Sequence, residues 1–234
     1  MKVGLASYRL RDGDLAYNLS QVEKGLRAAE GKLDLLCFGE SFLQGFNAVT
    51  FCYEVDRKLA ITRDSAVMQR LCELTRDTGV DLLLGYLERE GECLYSACAL
   101  LGDGRLLHNY RRMSQGWKLP GADEHYREGD SAEEFLCRGH RFQVALCGDL
   151  FVFPERFRSE HTLLWPVYVD IEREEWPEAE KDYALQAQKA ARRTLMVNPL
   201  SEEPPCHGGA FDFADGEIIN RIPYDREEIL TVEL

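Results

Sequence analysis

No stretch of this 234-residue chain approaches the roughly 20 consecutive apolar residues that a membrane-spanning helix needs. The opening run from Val3 to Tyr8 meets Arg9, Arg11 and Asp12 too soon for a secretion signal. A soluble, cytoplasmic protein is therefore expected. Positive charge is scarce as well, with 28 Lys and Arg against 41 Asp and Glu and a formal net charge of -13. Such a chain repels the phosphates that dominate nucleic-acid affinity, and no basic stripe with interleaved aromatics offsets this, so neither nucleic acid nor an anionic membrane is an expected partner. The eight cysteines include no CxxC pair, and Cys93 and Cys98 have no nearby histidine to complete a zinc-ligand spacing. Free thiols are expected rather than disulfides, with no metal and no cofactor.

What is present is the material of a core. Hydrophobic residues make up 45% of the chain and aromatics 10%, charges are spread along its length, and no linker-like stretch divides it. One domain covering 1–234 is the expectation.

Apolar residues 2–9 read as a strand. Asp14 then caps a segment in which Leu15, Leu19, Val22, Leu26 and Ala29 recur at helical steps up to Gly31. Leu33 to Phe38 is a second strand, and the β-α-β unit so formed favours parallel pairing. A helix near 64–77 ends at Gly79, a strand follows from Val80 to Tyr86, and strands at about 92–101 and 105–111 flank the hairpin turn Gly102-Asp103-Gly104. After an irregular stretch at 112–133, strands are expected at Phe142–Cys147, Thr162–Pro166 and Thr194–Asn198. An Ala-rich helix from Glu178 to Arg193 has Pro177 at its first turn. Strands at 208–213, 217–222 and 229–234 surround the turn Asp215-Gly216. Helices interleaved with strands must cover sheet faces, so two packed sheets with helices outside satisfy the pattern.

Three segments carry chemistry. Cys147 ends a buried strand and is followed by Gly148-Asp149, so a sharp turn there would expose Sγ and aim the next backbone N–H groups at a substrate oxygen. A buried structural thiol fits the same segment. Glu40 follows an apolar strand among Phe38, Phe42 and Phe46, where desolvation would raise its pKa toward that of a useful base; a turn-capping or solvated carboxylate is the other reading. Asn109 to Lys118 is a strand end running into a loop with three cations, which could stabilise an oxyanion or simply face water.

Together these segments resemble the nitrilase superfamily of carbon-nitrogen hydrolases. Gly39-Glu40-Ser41-Phe42 stands where that family has Pro-Glu after a strand, Tyr110-Arg111 where it has Tyr-Arg-Lys, and Cys147-Gly148-Asp149 with Phe153-Pro154-Glu155 where it has Cys-x-Asp and Phe-Pro-Glu. Asn198 and His207-Gly208-Gly209-Ala210 resemble its closing strands. The resemblance implies a four-layer αββα sandwich of two mixed sheets, a thioester on Cys147, Glu40 as general base and an oxyanion contact near Gly148. It further implies substrate contacts from Glu124 and the loop at Phe151, a small amide or carbamoyl substrate, and a homodimer whose interface rests on helices, since the chain stops at Leu234 without the family's usual extension.

One position departs from the pattern. Arg112 stands where the family has its triad lysine, and arginine stays protonated, so it stabilises charge but donates protons poorly. Strand register favours Arg112 for the cation role. Proton chemistry favours Lys118, and Lys118 as catalyst with Arg112 close by is the expectation. Two alternatives stand beside the hydrolase: a catalytically silent binding module, and a dyad of Cys147 with His207.

Overall fold

A crossover long enough to bring two strands parallel is supplied at once by β1 (Lys2–Ser7), α1 (Leu15–Ala29) and β2 (Leu35–Cys37). The computed structural model describes residues 1–234. In it Val3 stands opposite Leu35 and Leu5 opposite Cys37. The Asp14 carboxylate accepts the Tyr17 N–H at 3.0 Å, the cap expected from sequence. α2 (Tyr53–Leu59) precedes α3 (Ala66–Thr78), which Ser65 caps and Gly79 ends in a left-handed conformation. Then come β3 (Asp81–Glu90), β4 (Cys93–Gly102) and β5 (Arg105–Arg111). Asp103 and Gly104 both have positive φ, as a two-residue hairpin turn requires.

The second half contributes β6 (Phe135–Cys137), β7 (His140–Val144), the single turn α4 (Asp149–Val152), β8 (Thr162–Pro166), α5 (Trp176–Ala190) and β9 (Arg193–Val197). A small ladder of β10 (Leu200–Ser201) with β11 (Cys206–His207) follows, then β12 (Ala210–Ala214), β13 (Glu217–Ile222) and β14 (Glu228–Glu233). The α5 helix stops three residues before the expected Arg193, because Arg193 belongs to β9. α2, β6 and α4 had no expected counterpart.

Two six-stranded mixed sheets result, ordered β14-β1-β2-β3-β4-β5 and β13-β12-β9-β8-β7-β6. Each has three parallel strands inside and antiparallel strands at its flanks. Strand alternation assigns the layers. Leu36, Leu82 and Leu84 pack under Val22 and Leu26 of α1 and under Leu71 and Leu74 of α3. Their neighbours Leu35, Cys37 and Leu83 face the other way, into a core shared with Val144, Leu164 and Leu195 of the second sheet. Trp176, Ala187 and Ala190 of α5 join that core from beyond the second sheet. This is the αββα sandwich expected from the sequence.

The segment after β2 is where the layers meet. Phe38 N–H donates to Leu83 of the first sheet at 2.9 Å, and Glu40 N–H donates to Val167, just past β8, at 3.1 Å. β3 presses against this segment so closely that a Cβ on Gly85 would lie 2.4 Å from Gly39 O and 2.7 Å from Glu40 Cα. Both are backbone atoms, which no side-chain rotation relieves. Gly85→Ala is expected to lose about 1–3 kcal/mol of stability, read as a lower urea midpoint with unchanged slope; an unshifted midpoint would show that the loop can back away.

Candidate active site

Glu40 is completely buried. Its carboxylate accepts Ser96 Oγ of β4 at 2.8 Å and Arg112 Nη1 at 2.9 and 3.1 Å, one contact to each oxygen. Phe38 and Phe42 are buried beside it, but the expected apolar pocket is incomplete, because a buried guanidinium fills one side of it. Phe46 instead stacks on Tyr168.

Arg112 follows β5 directly, and its position is built by both backbone and side chain. Its N–H donates to Ser96 O at 2.8 Å, and its carbonyl accepts Gly129 N–H at 2.8 Å. Nε donates to Ser114 Oγ at 2.8 Å, which leaves Nη2 facing two glycines. A Cβ on Gly148 would lie 2.7 Å from Nη2, and one on Gly116 would lie 2.9 Å from it. Any larger residue at either position would push the guanidinium aside. Burial works against the charge, but Glu40, Cys147 and Asp149 outweigh it and hold the proton more firmly than in water.

Cys147 comes where the chain leaves β7. Its N–H still reaches Pro166 O at 3.0 Å, so the ladder with β8 persists past the strand end. Its φ of 41° is then left-handed, a conformation that opposes continuation of the strand and turns Sγ out of the sheet. Trp165 Nε1 donates to Cys147 O at 2.9 Å and fixes the turn from below, while Sγ lies 3.6 Å from Tyr168 O. Burial, reinforced by the Glu40 charge and only partly opposed by Arg112, pushes the thiol up to about 12. At neutral pH Cys147 is thereby held as the neutral thiol.

Asp149 clamps these parts together. One oxygen accepts Met113 N–H at 3.1 Å and Ser114 N–H at 2.7 Å; the other accepts Leu146 N–H at 2.9 Å and Tyr110 Oη at 2.6 Å. The turn bearing Cys147 is thereby tied to both sides of Arg112. Such a site holds a thiol, a carboxylate and a permanent cation in one buried cluster, the elements of acyl transfer to sulfur.

The carbon-nitrogen hydrolase family model matches residues 2–162. The chain belongs to that family. Among its relatives is an (R)-stereoselective amidase from Pseudomonas sp., 30% identical over 159 residues that cover 68% of this chain and 55% of the amidase. A glutamine-dependent NAD(+) synthetase from Thermotoga maritima is 27% identical, with 100% of this chain and 42% of the synthetase covered. The chain thus spans about half the length of the curated relatives it matches. An amidase from Nesterenkonia sp. shares the fold at a TM-score of 0.83 and 20% identity, over 100% of this chain and 90% of that one. The nitrilase-superfamily resemblance read from the motifs is confirmed.

In this member of the family Glu40, Arg112, Cys147 and Gly148 come together. Phe151 packs 6.1 Å from Trp165, the residue bonded to the Cys147 carbonyl. Lys118 is elsewhere: Nζ donates to Tyr126 O at 2.7 Å and pairs with Glu128 at 2.7 Å, which corrects its expected placement beside Glu40. Glu124 is exposed on the loop, its carbonyl accepting from Arg127. His207 is bonded to Asp225 at 2.8 Å, whereas the Cys147 thiol faces Tyr168 O. Ser96, Ser114 and Trp165 were not picked out from the sequence. Ser96 alone left a trace, as a hydroxyl in the otherwise apolar strand Leu94 to Leu101.

Two outcomes test this geometry. Gly116 lies in a helical turn that alanine readily adopts, so Gly116→Ala isolates the contact with Nη2. A loss of about 1–2 kcal/mol is expected that largely disappears in an Arg112→Lys background, which has no Nη2; additive effects in the double-mutant cycle would refute the contact. The raised thiol predicts that methyl methanethiosulfonate modifies exposed Cys52 well before Cys147 at pH 8, with the Cys147 rate climbing about tenfold per pH unit from pH 8 to 11. A flat profile would contradict a neutral resting thiol.

Proposed function

We propose that the chain hydrolyses a non-peptide carbon–nitrogen bond of a small amide or carbamoyl compound through a covalent thioester on Cys147. The single observation that carries this is the buried Glu40–Arg112 pair joined through Asp149 to the left-handed Cys147 turn, in a chain of this family. With a resting thiol, Glu40 takes the Sγ proton as sulfur attacks the carbonyl carbon. The carbonyl π electrons move to oxygen. That oxyanion is met by the Arg112 Nη2 group and by the Gly148 N–H, whose neighbours Cys147 N–H and Asp149 N–H are already committed to Pro166 O and Leu146 O.

Collapse of the intermediate breaks the carbon–nitrogen bond, and Glu40 returns its proton to the departing ammonia or amine. Water then attacks the thioester carbon as Glu40 takes its proton. Collapse of this second intermediate breaks the carbon–sulfur bond, Glu40 passes the proton to Sγ, and the acid product departs while Cys147 is restored as the thiol. Arg112 keeps its proton throughout, so one carboxylate carries every transfer that a lysine would otherwise share. The amidase-like substrate class draws on the Pseudomonas relative.

Cys147→Ala should abolish turnover on a panel of amides, carbamoyl compounds and nitriles. It should leave the melting temperature nearly unchanged, since Sγ makes a single weak hydrogen bond and alanine keeps the Cβ. Glu40→Gln should lower kcat by roughly 10²–10⁴. Intact-mass spectrometry after incubation with the panel should show an acyl adduct on wild type that Cys147→Ala lacks; wild type with neither adduct nor turnover would favour the silent binding module.

A further inference from the structure

The mechanism uses one face of Cys147 and leaves an aromatic wall beside it unassigned. Tyr183 lies seven residues after Trp176 on α5, on the face of the helix turned toward the second sheet. Its ring packs 5.2 Å from Trp165 and meets Phe151 edge-on at 5.1 Å. Both neighbours belong to the nucleophile turn: Trp165 holds the Cys147 carbonyl, and Phe151 lies four residues past Cys147. Tyr183 is half-buried, and Phe151 remains 42% exposed, so the wall keeps an open apolar edge that the protein core does not consume. Tyr183 is thus one ring away from the residue that holds the Cys147 carbonyl.

The surroundings say what such a wall can hold. Arg112, the cation of the cluster, is paired with Glu40. The segment 170–182 that leads into Tyr183 is acidic, with seven Asp and Glu against Arg173 and Lys181. A carboxylate-bearing side group would meet repulsion here, whereas an uncharged ring would stack.

We propose that Tyr183 is a specificity-determining residue that, with Phe151, selects uncharged primary amides carrying an aromatic or bulky apolar acyl group. The inference rests on the hydrolase reading for its kinetic test, but the wall itself can be tested without turnover. Phenylacetamide and acetamide release the same ammonia, so any difference between them lies in the acyl group. Wild type should favour phenylacetamide in kcat/KM, and the ratio should fall at least about tenfold in Tyr183→Ala and in Tyr183→Leu, mostly through KM, while Tyr183→Phe retains it. Leucine keeps the helix and its apolar contact, which guards against simple unfolding in the alanine variant. A ratio unchanged in folded Tyr183→Leu would overturn the proposal while leaving the hydrolase intact. Isothermal titration of phenylacetamide into Cys147→Ala gives the second arm. Binding that is weakened about tenfold by adding Tyr183→Leu supports the wall even if wild type cleaves nothing, and binding insensitive to Tyr183 overturns it.

Discussion

Asp149 is a buried carboxylate that makes no salt bridge, held by four hydrogen bonds from Leu146, Met113, Ser114 and Tyr110. A charge in that position is tolerable only when every acceptor direction is occupied. The donors come from two different places: the end of β7 that carries the nucleophile, and the strand end that carries the cation. The same requirement that satisfies the carboxylate therefore fixes the distance between thiol and guanidinium. Without it, Cys147 would sit on the second sheet and Arg112 would hang from the first, with little to set one against the other.

The Glu40–Arg112 pair follows from that placement. Removing two charges from water is expensive, and their mutual attraction offsets this only when the remaining polar valences are met. Ser96 supplies one such bond to Glu40 and Ser114 supplies one to Arg112 Nε. A flat guanidinium also needs more room than an ammonium. The two glycines flanking Nη2 provide that room, so the site is shaped around arginine and does not merely tolerate it.

Much of the architecture was legible because local rules decide it. Asp103-Gly104 and Asp215-Gly216 both adopt the positive φ values that their sequence announces, and Asp14 and Ser65 cap the helices that follow them. Cys147 and Glu40 were legible from position, each just beyond a buried strand. The cation was harder. An argument from proton chemistry pointed to Lys118, whereas register along β5 pointed to Arg112. In the structure Arg112 pairs with Glu40, whereas Lys118 finds Glu128 and the Tyr126 carbonyl in a loop whose path no periodicity reveals. Ser96 and Trp165 were hidden for a related reason: their roles depend on which strand lies beside which, information that appears only when the sheets are assembled. Glu124 illustrates the limit of motif spacing, since the residue that the motif order picks out is exposed on its loop.

The pairing of β14 with β1 sets Lys2 opposite Glu233, so the first sheet borrows its outer strand from the far end of the chain. During synthesis on the ribosome, β1 emerges early and waits with its outer edge unpaired until residues 228–233 arrive. An open strand edge is a template for pairing with another molecule. Long-range closure of this kind is also slow. Nascent copies of this protein thus carry an open strand edge in the interval before β14 emerges.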